Sequence, residues 1–116
     1  MMKSLLQRPR GLPGSSPFEV SIADLAASAS MMYGMEHRTD VMRTLPMNYL
    51  RIMNKGGTTL KIYVNDSTNG EVIPDSTAWE WRGEALWNFT LTNLSTQNTA
   101  TGALVYVTVQ QKPTGV

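Results

Sequence analysis

The stretch LKIYVN, residues 60–65, decides the fold class of this chain because its side chains alternate between apolar and more polar types. A period of two places Leu60, Ile62 and Val64 on one face of a β-strand and the residues between them on the other. Branched and aromatic side chains in such a run are typical of strands. We therefore predict a strand here with one buried face.

Two later stretches have the same character. In WNFTLT, residues 87–92, the alternation predicts that Trp87, Phe89 and Leu91 point into a core. The stretch ALVYVTVQ, residues 103–110, has apolar side chains on both faces, which is typical of a central strand or of a strand at an interface.

Polar turns separate these runs, at residues 54–57, 66–70 and 95–102. Five or six short strands after Tyr49 indicate a mainly β fold, a small antiparallel β-sandwich or barrel. We place this domain at residues 48–111 and a short C-terminal tail at 112–116.

The first 47 residues read differently, and we predict an extended N-terminal arm that contains one helix. Prolines and glycines interrupt the first stretch. Ser16 to Glu19 then fits a helix-capping box, apolar residues follow at spacings of three and four, and Gly34 fits a helix end. The sequence therefore predicts a helix over residues 17–33.

The arm holds seven of the eight methionines, a flexible residue type that adapts to irregular surfaces. Two interpretations stay open: a disordered leader whose helix covers the domain, and an arm that docks on neighbouring subunits. The second interpretation assigns the following residues to an interface: Ile22, Leu25, Met31, Met32, Met35 and Met42.

Composition excludes several classes of function. The net charge is +1 and charged residues make up 16% of the chain, so nothing favours nucleic acid or a membrane as a partner. There is no cysteine and only one histidine, His37, which argues against thiolate chemistry and transition-metal sites. No phosphate-binding loop or secretion signal is recognisable. We expect a non-enzymatic protein without cofactors, made in the cytoplasm.

The segment WEWR, residues 79–82, raises the main question about function. Exposed tryptophans beside polar residues occur in protein interfaces and in carbohydrate-binding sites. In a half-buried strand the same tryptophans would instead point into the core. Three interpretations of Trp79 and Trp81 stay open: core, subunit interface and ligand contact. Arg82, and Tyr106 on the last strand, are the other candidates for an interface or ligand surface.

From residue 51 to residue 110 the chain resembles small β-sandwich proteins carried by the particles of tailed bacteriophages. In that group a strand that ends in Asn-Lys-Gly or Asn-Asp-Gly precedes a strand of the LKIYVN kind. An Ile-Pro segment with aromatics, an FxLxNL strand, a polar loop and a final VYVTV strand follow. The matching positions are Asn54 to Gly56, Leu60 to Asn65, Ile73 and Pro74, Phe89 to Leu94, and Val105 to Val109.

The resemblance implies a structural role in a virion, as a capsid decoration or cement protein, a head–tail connector or a tail component. It implies a homo-oligomer that contacts the major capsid protein or neighbouring tail or connector subunits, and it implies no catalytic residue. The alternative is a glycan-binding or receptor-binding β-sandwich that uses Trp79 and Trp81, with Glu80, Arg82 and nearby asparagines as hydrogen-bonding partners.

Overall fold

A computed structural model describes residues 17–35 and 47–113, and these residues contain eight strands. A short 3-10 turn, Gly102–Leu104, precedes the last strand, and no helix in these ranges is long and apolar enough to cross a membrane. The strands are β1 (Phe18–Val20), β2 (Ser30–Gly34), β3 (Tyr49–Asn54), β4 (Leu60–Val64), β5 (Glu71–Ile73), β6 (Thr77–Arg82), β7 (Asn88–Asn93) and β8 (Val105–Gln110).

The strands form two antiparallel four-stranded sheets packed face to face. Sheet 1 has the order β1-β8-β3-β6 and sheet 2 has the order β2-β7-β4-β5. The pairs β1–β8, β2–β7, β3–β6 and β4–β5 are all antiparallel, so the chain is a long two-stranded ribbon wrapped around a core. That arrangement is a jelly roll. The predicted antiparallel β-sandwich is confirmed, with six strands after residue 48, as expected, and two more, β1 and β2, before it.

The core lies between the sheets and follows the alternation of each strand. Leu60 and Ile62 of β4 are buried, as predicted, and so are Phe89 and Leu91 of β7. On β8 the valines are the buried set, at 105, 107 and 109, while Tyr106 is exposed. The two-sided apolar pattern of this strand therefore resolves into one core face and one outer face.

The prediction that Trp87 belongs to the core is wrong, since 53% of this side chain is exposed. Strand β7 begins one residue later, at Asn88, and Leu86 fills the buried position instead. The backbone of Trp87 is held from both sides, because its N–H donates to the Asn65 side chain (2.7 Å) and its carbonyl accepts from the Met35 N–H (2.9 Å). Alternation predicts side-chain direction only within the strand itself.

The helix predicted over residues 17–33 is also wrong, because this segment supplies β1 and β2. Strand β1 pairs with β8, and β2 pairs with β7. Between them Leu25 bridges to Ala100, and Ser28 has a left-handed backbone (φ 62°) that no helix contains. A helix would have left one edge of β8 and one edge of β7 without backbone partners.

Consequently the boundary predicted between residues 47 and 48 falls inside the sandwich, with one strand of each sheet on its N-terminal side. The remaining parts of the predicted arm, residues 1–16 and 36–46, lie outside the described residues, as do residues 114–116 of the predicted tail.

Candidate functional site

A cleft of about 180 Å³ opens between the two sheets, at the edge where β6 lies opposite β4 and β5. Its floor is formed by Ile62 and Val64 of β4, whose side chains point between the sheets. The cleft walls and rim come from β6 and from the segment that joins β4 to β5, in the residues Asn65, Ser67, Asn69, Glu71, Trp79 and Trp81.

The two tryptophans form one wall of this cleft. Trp79 and Trp81 lie opposite Ile52 and Leu50 of β3, which are both buried, so their indoles share the inward face of sheet 1. Both rings pack against the core and both remain partly exposed, because β6 is the edge strand of the sheet. Each indole is therefore part core and part cleft wall.

The indole of Trp81 also lies over the backbone at Gly83. A Cβ at this glycine would sit 2.3 Å from Cζ2 of the indole, which is far inside van der Waals contact. Any side chain at position 83 would therefore force the indole of Trp81 to move. This contact closes one end of the tryptophan wall.

The rim of the cleft carries two polar side chains that are free to bind. Neither the Asn69 amide nor the Glu71 carboxylate has a hydrogen-bond partner among the residues that the structure describes. Asn65, in contrast, is committed to the protein, since its side chain donates to the Ala85 carbonyl (2.8 Å) and accepts from the Trp87 N–H. The site therefore combines two indole surfaces with one amide and one carboxylate.

The charged residues of β6 lie on the other side of the sheet. Because side chains alternate, Glu80 and Arg82 point outward while the tryptophans point inward. The sequence prediction that joined Arg82 and Glu80 to the tryptophans in one surface is therefore wrong. On the outer face, the hydroxyl of Tyr49 donates to the Glu80 carboxylate, and the Arg82 guanidinium lies 5.4 Å from the Tyr49 ring centroid.

The charged side chains of this outer cluster all contact Tyr49. The ammonium group of Lys112 lies 4.4 Å from the centroid of the Tyr49 ring, in cation–π geometry, and the tyrosine is buried beneath its neighbours. Burial, with the hydrogen bond to Glu80 and its negative charge, raises the pKa of Tyr49 above its ordinary value of 10.0. The cluster thus binds β3, β6 and the C-terminal segment together.

Tyr106 lies elsewhere, on the outer face of β8. There it lines a shallow groove of about 400 Å³ together with Ile22, Glu19 and Thr108. The structure thus brings together one candidate from the predicted arm and one from the predicted sheet surface. It does not bring Tyr106 near Trp79 or Trp81.

The six residues assigned to a docking arm have different positions in the structure. Leu25 and Met35 are buried in the core of their own domain, at 4% and 1% exposure, so they are not available to a neighbouring subunit and that assignment is wrong. Met31 and Met32 of β2 are exposed, at 40% and 59%. Ile22 is partly buried against the core, and Met42 lies outside the described residues.

Sequence reasoning did not assign Asn69 and Glu71 to the tryptophans, although a signal for Glu71 exists. In the strand Glu71–Ile73 the side chain of Ile73 is buried, and the alternation therefore turns Glu71 toward the space between the sheets. Asn69 lies in a loop and carries no such signal.

No group of three or more histidine, cysteine or acidic residues in the described ranges could hold a metal ion. Comparison of the chain with protein-family models, with curated proteins and with solved structures finds no match. The candidate site therefore has to be interpreted from its own geometry.

Proposed function

We propose that this protein is a non-enzymatic structural component of a bacteriophage particle, a capsid decoration or cement protein or another virion component that self-associates. The pattern resemblance over residues 51–110 supports this role. The fold supports it as well, since the jelly roll is an architecture of viral capsid domains and also of lectins and cupins. Fold alone does not decide between these uses.

The observation that carries the proposal is the unprotected edge of β2. The described sheets have four edge strands, and natural proteins usually protect such edges by shortness, charge or proline. Strands β1 and β5 have three residues each, and β6 carries Glu80 and Arg82. Strand β2, SMMYG, has five residues with neither charge nor proline.

The backbone of β2 also presents unpaired groups in the right positions. The N–H of Met35 donates to Trp87, and the Ala29 carbonyl accepts from Asn93, so the odd-numbered residues of β2 bond to β7. The backbone groups of Ser30, Met32 and Gly34 then point away from the sheet. None of these three has a backbone partner within the residues that the structure describes.

A second copy of the chain fits this edge. Two β2 strands related by a two-fold axis would pair in antiparallel fashion and extend sheet 2 across both subunits. Met31 and Met32 from each copy are about half exposed, so burying them contributes roughly 4 kcal/mol in total, with about 1 kcal/mol more per backbone hydrogen bond. Association costs at least about 4 kcal/mol. The free dimer is therefore weak, and crowding on a particle favours it.

Sedimentation velocity over a range of protein concentrations tests the self-association. We expect the full chain to associate as its concentration rises and Met32→Lys to stay monomeric, because a lysine at the centre of an edge strand opposes pairing. Ala78→Lys is the matched control, an exposed position on the already charged edge strand β6, and it should associate like the unchanged chain. A monomeric full chain at every concentration, or equal behaviour of both variants, would contradict the proposal.

The virion assignment is tested separately by mass spectrometry of purified, nuclease-treated phage particles from the source of this sequence. The chain should be present in them at a fixed stoichiometry to the major capsid protein. A chain that is expressed during infection but absent from the particles would disprove the structural role.

A further inference from the structure

We infer that the cleft between β6 and the β4–β5 edge is a binding site for one neutral pyranose ring, that is, a single sugar residue at the end of a glycan. The inference rests on five features of the described residues: the tryptophan wall, the free rim groups, the ordered backbone of the rim, the volume and the local charge. It does not depend on self-association through β2.

The wall of the cleft suits the apolar side of a sugar ring. Trp79 and Trp81 are neighbours on one face of β6, and both indoles are partly exposed into the cleft. An indole offers a large rigid surface for the C–H groups of a pyranose and an N–H group for a hydroxyl. Because both rings also pack against the core, little side-chain freedom is lost when a ligand binds.

The rim suits the hydroxyl groups. The Asn69 side chain can both donate and accept a hydrogen bond, and the Glu71 carboxylate accepts two. Hydroxyl donors to an ionised carboxylate make short, strong hydrogen bonds. Since neither side chain has another partner in the described part of the chain, no protein contact has to be broken to bind a sugar.

The backbone of the rim is preorganised. Asn65 and Asp66 both have left-handed conformations, with φ of 54° and 60°, and both are tied to the start of β7 by side-chain hydrogen bonds. Ser67 accepts a hydrogen bond from the Asn69 N–H at 3.0 Å, which fixes the backbone of that residue. The loop that carries the free amide of Asn69 is thus held in place by these hydrogen bonds.

Volume and charge define the class of sugar. A cleft of about 180 Å³ is smaller than the roughly 300–1,000 Å³ of sites for drug-sized ligands, so it accommodates one ring. Glu71 places a negative charge at the rim, and the charged residues of β6 lie on the opposite face of the sheet. A uronic or sialic acid would be repelled, and a neutral hexose or N-acetylhexosamine would not.

Nuclear magnetic resonance of the indole N–H groups is the direct test. The chain has three tryptophans, so three such signals are expected, and Trp→Phe variants assign them. The full chain is titrated with methyl glycosides of glucose, galactose, mannose and N-acetylglucosamine. At least one should shift the Trp79 and Trp81 signals, with a dissociation constant of about a millimolar, and leave Trp87 unmoved.

Two variants then test the rim. Asn69→Ala and Glu71→Gln should each weaken binding of the best glycoside about tenfold without changing the folded spectrum, since both side chains are exposed. Asn98→Ala, in an exposed loop elsewhere, is the matched control and should bind like the unchanged chain. Glucuronic acid should bind at least about tenfold more weakly than the best neutral sugar.

Three results would overturn the inference: no shift of Trp79 or Trp81 with any of the sugars, a shift confined to Trp87, or binding that survives both rim substitutions. None of them bears on the edge of β2, whose test is the sedimentation of the full chain. The two proposals can therefore fail independently.

Discussion

Asn93, the last residue of β7, has a fully buried side chain that makes four hydrogen bonds. The two N–H bonds of its amide are shared among the carbonyls of Leu25, Ala26 and Asn98, at 2.8–3.2 Å, so one of them is bifurcated, and its carbonyl oxygen accepts from the Ser95 N–H. One side chain thus supplies partners for loop backbone that has no strand beside it. It joins the β1–β2 connection to the loop after β7.

Three other asparagines act in the same way at strand ends. Asn48 both donates to and accepts from the backbone of Lys112, just before β3. Asn54, at the end of β3, donates to the Thr58 and Ile73 carbonyls and accepts from Gly56. Asn65 does the same after β4, with Ala85 and Trp87. The high asparagine content of the chain therefore has a structural use inside the fold.

Replacing Asn93 should be costly for this reason. In Asn93→Ala the Ser95 N–H and the Asn98 carbonyl lose their partner among the described residues, and each polar group left unpaired away from water costs about 1–3 kcal/mol. The Leu25 and Ala26 carbonyls keep the backbone N–H groups of Ala100 and Ala29. We expect the free energy of unfolding to fall by about 2 kcal/mol, measured by urea titration with tryptophan fluorescence. Asn98→Ala keeps the backbone carbonyl that Asn93 uses, so its loss should stay below about 0.5 kcal/mol. Equal losses would show that the side-chain hydrogen bonds are not the cause.

Strand β6 shows how one element serves two surfaces. Its inward tryptophans line the cleft, and its outward Glu80 and Arg82 enclose Tyr49 of the neighbouring strand. The raised pKa of Tyr49 means that the folded state holds the phenol proton more tightly than the unfolded state does. The cluster is therefore a source of pH-dependent stability.

The stability contributed by Tyr49 should be lost in alkaline solution. It is fully present below the unfolded pKa of about 10, and it falls as the pH rises through the higher pKa of the folded state. Urea unfolding between pH 8 and pH 11.5 should show a downward slope that Tyr49→Phe makes shallower. Tyr106→Phe, on the exposed outer face of β8, leaves Tyr49 in place and is the control. An unchanged slope in Tyr49→Phe would contradict this account.

At the scale of the whole molecule, the ribbon topology makes the first two strands as necessary as the last two. The first strand pairs with the last, and the second pairs with the last but one. Strand β1 therefore supplies the backbone partners for one edge of β8, and β2 supplies them for one edge of β7. Cooperative unfolding of the sandwich should involve all eight strands together.

Shortening the chain tests this dependence. A chain that begins at Asn48 lacks β1 and β2 and exposes the edges of β7 and β8, so we expect no cooperative unfolding transition and no dispersed amide spectrum. A chain that begins at Ser16 retains all eight strands and should unfold cooperatively. Circular dichroism during thermal unfolding distinguishes the two. A chain from Asn48 that unfolds like the longer one would show that the sandwich closes without its first two strands.

The amino-acid sequence by itself determined the fold class and part of the core. Strands such as β4 and β7 could be located because alternation depends on the local backbone and on neighbouring side chains, which the sequence displays directly. The buried positions of Leu60, Ile62, Phe89 and Leu91 follow from that alternation alone.

Only the tertiary structure decided the secondary structure of residues 17–35. Their apolar residues have a helical spacing, but the segment forms strands because β8 and β7 each need a backbone partner at one edge. The tertiary structure likewise decided that Trp87 is exposed, because the start of a strand is set by its pairing. The cleft depends on the same cause. Trp79 and Trp81 meet Asn69 and Glu71 across two different sheets, and such a meeting is set by long-range packing that no local pattern contains.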